Sequence, residues 1–193
     1  MRNADRRDAI LAAALEVFAQ RGYGGASMSE IRVAAGASTG SLYHHFPTKE
    51  HIAAALVLDA LADFHGAFLA VLDRAGDDAR AAIEGGVRAY LEWSEAHRRE
   101  ARLLVVEMDA AVAAAAGDRL RDANRSFFAA VDRWTRARIE AGQLRELPPP
   151  VLHALWMGPA SQLARNRLTG RPSEPVDGLA GALAAGAWRA LAP

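Results

Sequence analysis

From Asp5 to Leu191 apolar residues recur every three to four positions, and no run alternates apolar with polar residues as a strand does. That periodicity predicts an all-α chain, punctuated by glycine and proline. A first helix is read over Arg6 to Arg21, with Ile10, Leu11, Ala14, Leu15, Val17 and Phe18 inward and a stop at Gly22. Ser27 caps a second helix, with Glu30 at the capping-box position, and Gly36 ends it. Ser38 opens a short third helix that Pro47 closes after Phe46. Thr48 caps a long fourth helix that fades at Gly76, bearing Ile52, Leu56, Leu61, Phe64, Phe68 and Leu72. Further helices are expected at about Asp77 to Arg98, Glu100 to Ala116, Asp118 to Ala141, Pro150 to Thr169 and Pro175 to Leu191. The expected breaks are Gly117, Pro148 to Pro150, and the loop with Gly170 and Pro172.

Composition narrows the function classes. With 193 residues there is room for one ordinary core or two modest ones. The absence of cysteine excludes disulfides, thiolate metal sites and a cysteine nucleophile. Met1 to Asp8 alternates charged and polar residues, unlike a signal peptide, and Ala110 to Gly117 falls short of the roughly 20 apolar residues of a membrane helix. The expectation is therefore a cytoplasmic chain with no membrane partner. No Glu-x-x-His pair, H-E-x-x-H or P-loop occurs, and Gly36-Ala37-Ser38-Thr39-Gly40 matches G-x-S-x-G in form only, joining two helices and not a strand to a helix, so no enzyme, metal or cofactor is expected. Asn124-Arg125-Ser126 matches a glycosylation acceptor in form only. Net charge is zero, and Met1 to Ile52 holds six Lys or Arg against five Asp or Glu. Any nucleic-acid contacts must then be few and local.

Ser27 to Glu50 carries the most specific pattern: two short helices joined through Gly36, the layout of a DNA-reading helix-turn-helix. Ser38, Thr39 and Ser41 supply short hydroxyls for phosphates or base edges, and Gly40 permits close backbone approach. Leu42 and Phe46, four apart, face the opposite way as anchors.

The stretch Ser38-Thr39-Gly40-Ser41-Leu42-Tyr43-His44-His45-Phe46-Pro47-Thr48-Lys49-Glu50 closely resembles the recognition helix and following turn of TetR-family transcriptional regulators. The likeness extends back through Ala35-Gly36-Ala37 and Ser27-Met28-Ser29-Glu30-Ile31 to Ile10 through Tyr23, while the rest resembles the family only in length, helix count and a paired C-terminal hairpin. Arg32 departs from it, standing where the family most often has alanine. Its stem can lie along the helix crossing with the guanidinium in solvent or on a phosphate.

The resemblance implies about nine helices. A DNA-binding domain would occupy residues 1–50 and a helical effector-binding and dimerisation domain residues 51–193. It implies phosphate contacts from Ser27, Tyr43 and Lys49, the chain's only lysine, and base-facing roles for Thr39, Ser41 and His44, with Ser38 and Gly40 on the same surface. His45 reads as structural. Arg2, Arg6 and Arg7 read either as a DNA-contacting arm or as a solvated charged start. The implied partners are double-stranded operator DNA, a small-molecule effector and a second copy of the chain. The last two helices would pair through Leu155, Trp156, Leu163, Leu179, Leu183 and Ala187, unless they form an ordinary intramolecular core. Tyr90, Trp93, His97, Glu107, Phe127 and Trp134 read as pocket lining or as plain core. Glu107 is either a cavity carboxylate favouring a cationic or hydrogen-bonding ligand or part of a solvated, salt-bridged face. The rival to a ligand-released repressor is a noncatalytic helical binding protein with a vestigial DNA-reading part.

Overall fold

A computed structural model of the chain describes residues 3–171 and 176–193, without the side chains of residues 3, 4, 176 and 177. Arg2, Pro172 and Pro175, each named in the sequence reading, lie outside the described residues. Among those described there are nine helices and no strand. They are α1 (Asn3–Gly25), α2 (Met28–Ala34), α3 (Thr39–His45), α4 (Lys49–Ala75), α5 (Ala79–Ala96), α6 (Arg98–Arg102), α7 (Ala110–Glu140), α8 (Pro149–Leu168) and α9 (Val176–Leu191). The backbone breaks at Gly22 within α1 (φ 72°, ψ 154°), as the sequence predicts, and at Gly117 within α7 (φ 57°, ψ −136°).

One expected helix is corrected. Glu100 to Ala116 is not continuous: α6 widens into a π-helical turn over Leu103–Glu107, and Met108 is extended (φ −64°, ψ 119°). Asp109 then restarts the chain, its carboxylate accepting from Val112 N at 2.9 Å as an N-cap does. The apolar spacing runs through this break because Leu103 and Val112 are both buried on the same core.

The chain divides into two compact units, along different lines from a cut after residue 50: Met1–Leu61 with Arg99–Asp122, and Ala62–Arg98 with Ala123–Pro193. The first packs α1, α2, α3 and the start of α4 around Ile10, Phe18, Ile31, Leu42 and Ile52, with Leu103, Val112 and Ala116 on the same core. The second packs α5, α8 and α9 together around Phe68, Ile83, Leu91, Trp156, Ala184 and Leu191. Its helices approach closely at Gly86, where a Cβ would stand 3.0 Å from the Phe68 ring and 3.2 Å from Trp156. α4 supplies both cores. It also corrects the expectation that no helix reaches membrane length, since its 27 residues are long and apolar enough to cross a bilayer. Its apolar side chains from Ile52 to Leu58, however, are spent in the first core.

Candidate nucleic-acid interface and ligand cavity

In the first unit, local side-chain chemistry sets the two short helices. Ser27 Oγ accepts from Glu30 N at 3.3 Å while Ser27 N donates to Glu30 Oε2 at 2.9 Å, a complete capping box. The Ser27 hydroxyl, and after it the Ser27 N–H, donate to the Glu30 carboxylate and hold it below its usual range. Gly36 takes φ +56°, a left-handed conformation glycine adopts without steric cost, and the chain turns into α3 there. Ser38 caps α3 by accepting from Ser41 N at 3.2 Å, leaving its own hydroxyl proton free. Leu42 is fully buried and Phe46 nearly so. Anchored from behind, α3 presents Ser38, Thr39, Gly40, His44 and a 49% exposed Tyr43 to solvent, with Ser41 and His45 half-buried. This is a polar ridge of hydroxyls, imidazole and bare backbone, of the kind that reads a major groove.

The ridge rests on a half-buried junction. Lys49 Nζ donates to Tyr23 O at 2.8 Å and Ala26 O at 2.9 Å, with Gly24 O at 3.4 Å, and lies 4.7 Å from the Tyr23 ring centroid. Those carbonyls belong to the end of α1 and the turn after it, where a cation offsets the helix's negative pole. Tyr23 N donates to Glu107 Oε2 at 2.9 Å, and Arg102 Nε meets Oε1 of the same carboxylate at 2.6 Å. Burial, reinforced by Glu50, pushes the Tyr23 phenol up to about 12. Glu50 is held below its ordinary range mainly by the Thr48 hydroxyl.

In the second unit a cavity of about 380 Å³ opens among α4, α5, α7 and α8. Its walls are mostly aromatic, with Phe64, Phe68, Tyr90, Phe127, Phe128 and Trp156 among them. Polar groups are sparse: Tyr90 and Ser161 bring hydroxyls to the lining, and His153 Nε2 lies 3.2 Å from Asp132 Oδ1 without an aligned hydrogen bond. Burial pushes the Tyr90 phenol up.

The helix-turn-helix coincides with a match of residues 10–56 to the model of bacterial regulatory proteins, tetR family. The chain is also similar to the HTH-type transcriptional repressor KstR2 of Mycolicibacterium smegmatis, 39% identical over 72 residues, 37% of this chain and 35% of that protein. It is similar to the HTH-type transcriptional regulator RutR of Escherichia coli, 35% identical over 105 residues, 53% of this chain and 48% of RutR. These matches thus span less than half the length of either curated relative. A tetR-family transcription regulator from Shewanella sp. PV-4 superposes with a TM-score of 0.71 at 25% identity, covering 97% of this chain and 98% of that one. Residues 10–56 thus form a helix-turn-helix of the TetR-family type.

Several sites expected of a TetR-family member are placed differently by the structure. Lys49, expected on a phosphate, directs its ammonium into the protein, because three carbonyls at the end of α1 compete for its protons. Ser27 likewise donates its hydroxyl proton to Glu30 Oε2 at 2.7 Å. Arg6 reaches Gly36 O at 3.4 Å and Arg7 lies 5.8 Å from the Phe46 ring centroid, so both fold back on the turn. Of the expected pocket residues, Tyr90 and Phe127 line the cavity. Glu107 does not, because Tyr23 N and Arg102 bind it in the first unit. Trp93 lies outside it, donating to Asp63 at 2.7 Å, with His97 stacked on its ring, and Trp134 packs behind Trp156. Trp156 is not a surface residue: it is 1% exposed, lines the cavity and donates to Ile83 O at 3.0 Å. Ala187 is also core, whereas Leu155 is exposed and Leu163, Leu179 and Leu183 are half-buried. Sequence reasoning missed Phe64, Phe68, His153 and Ser161 as lining. Phe64 and Phe68 are the most legible of them, two large apolar residues four apart on one helix.

Proposed function

We propose that this chain is a homodimeric transcriptional regulator of the TetR family, acting in the cytoplasm, that inserts α3 into the major groove of a palindromic operator and is released when a small molecule fills the aromatic cavity. The observation that carries the DNA reading is the exposed row Ser38, Thr39, Gly40, Tyr43 and His44, held on a scaffold anchored by Leu42 and Phe46. Ser38 and Tyr43 position on phosphates, while Thr39 and His44 face bases. A single short recognition helix reads too few bases for a genomic address. Two related by a two-fold axis, about 34 Å apart, read a palindrome. Exposed Val151 and Leu155 on α8, with half-buried Leu179 and Leu183 on α9, offer the apolar surface for pairing. Repression is the favoured sense, as in the name of KstR2.

A mobility shift with the DNA upstream of the chain's own gene tests this reading. A selective complex that Thr39→Ala plus His44→Ala abolishes supports it. No selective complex, or one indifferent to both changes, leaves the rival of a vestigial DNA-reading part. Sedimentation that finds a monomer at micromolar concentration refutes the pairing.

A further inference from the structure

Resting on the reading of the second unit as the sensing part, we propose a ligand class for the cavity. It takes an uncharged, mostly apolar two-ring-sized molecule with one hydrogen-bonding group, which meets the Tyr90 and Ser161 hydroxyls. Size follows from volume: about 380 Å³ holds roughly a dozen non-hydrogen atoms, at the roughly 30 Å³ a water occupies in its liquid.

Charge follows from the walls. Among the described lining residues there is no Asp, Glu, Lys or Arg. An ion entering would therefore shed its hydration with no carboxylate, ammonium or guanidinium in the lining to replace it, His153 being directed to Asp132. Aromatic walls can bind a cation through their faces, but several of these rings already cover one another. Phe64 meets Tyr90 edge-on at 5.4 Å and 74°, and Phe68 meets Phe127 at 5.6 Å and 72°. The His65 ring covers a face of Phe127, stacked at 3.9 Å and 5°. The lining is mostly aromatic and apolar, which suits an uncharged ring system packed edge to face. Arg165 is close enough to act on Tyr90 but does not line the cavity, which makes an anion the nearest competitor. The Tyr90 and Ser161 hydroxyls, both in the lining, carry accepting lone pairs, so a hydroxyl on the ligand has a partner there.

A matched series tests the class at neutral pH: 2-naphthol, naphthalene, 2-naphthoate and trimethyl(2-naphthyl)ammonium, titrated against the full chain by calorimetry and tryptophan fluorescence. The expected result is that 2-naphthol binds at least about tenfold more tightly than either ion. Tyr90→Phe should bring 2-naphthol close to parity with naphthalene. Gly158→Phe fills the rim, where a Cβ meets nothing within 4 Å, and should abolish binding with the helical circular dichroism intact. Either ion matching 2-naphthol overturns the proposal, as does the absence of saturable 2-naphthol binding up to millimolar concentration. If 2-naphthol saturates the cavity and an operator complex persists, effector release fails while the ligand class stands.

Discussion

The ridge of α2 and α3 and the aromatic cluster of the second unit are held by different forces. The ridge consists of two seven-residue helices, too short to be stable alone, and its order comes from caps and from Leu42 and Phe46 behind it. The cluster is held by packing: Phe64, Phe68, Tyr90, Phe127 and Trp156 form a chain of ring contacts 5.4 to 6.2 Å apart, with few polar bonds. Directional bonds fix a surface to within a fraction of an ångström, as groove reading requires. Packed rings leave an apolar space that a guest can enter.

That contrast sets the expected sizes of mutational effects. Trp156→Ala removes the largest fully buried side chain and leaves Ile83 O without its indole donor, so a loss of about 3–5 kcal/mol is expected in urea unfolding. Amide exchange should place the loss in the second unit. Equal acceleration in α3 would erase the distinction. Lys49→Met strips the cation from the end of α1 and should cost about 1–3 kcal/mol. If Lys49 is a strut, the salt dependence of operator binding keeps its slope; a phosphate contact would lower that slope by about 1. Ser27→Ala breaks the capping box at a cost of about 1 kcal/mol, read as a lower melting temperature with the second unit's exchange unchanged. The smallest effect concerns His65, which burial against Phe127 holds below the ordinary imidazole range. Its contribution is complete above about pH 6.5 and is lost as pH falls through the lower folded value, since the unfolded chain then binds the extra proton. His65→Phe should flatten that part of the stability profile. An unchanged profile would show that another group causes it.

How much was legible tracks how far apart the partners lie in sequence. The capping box of Ser27 and Glu30 and the cap of Ser38 on Ser41 span three residues each, and both follow from residue type and spacing. Gly22 and Gly36 likewise announce their breaks. Lys49, Glu107 and Trp156 find partners 26, 84 and 73 residues away, and the apolar pattern carries no mark of such pairings. Glu107 is the instructive case: it follows four apolar residues, as a cavity carboxylate would. A π-helical turn and the break after it instead carry it to the N–H of Tyr23, just past Gly22. The helix-turn-helix is readable because its chemistry is local, and the cavity only in part because tertiary packing assembles it from four helices.

The central claim is that the exposed row on α3 reads operator DNA. Fluorescence anisotropy with a labelled duplex from the chain's own upstream region, titrated with the wild-type chain and Tyr43→Ala, Thr39→Ala and His44→Ala, tests it most directly. The account predicts a selective complex that Tyr43→Ala weakens on every duplex alike. Thr39→Ala and His44→Ala should weaken it on the cognate duplex only, by about 1–3 kcal/mol. Equal affinity for cognate and scrambled duplexes, unaffected by any of the three changes, would contradict it.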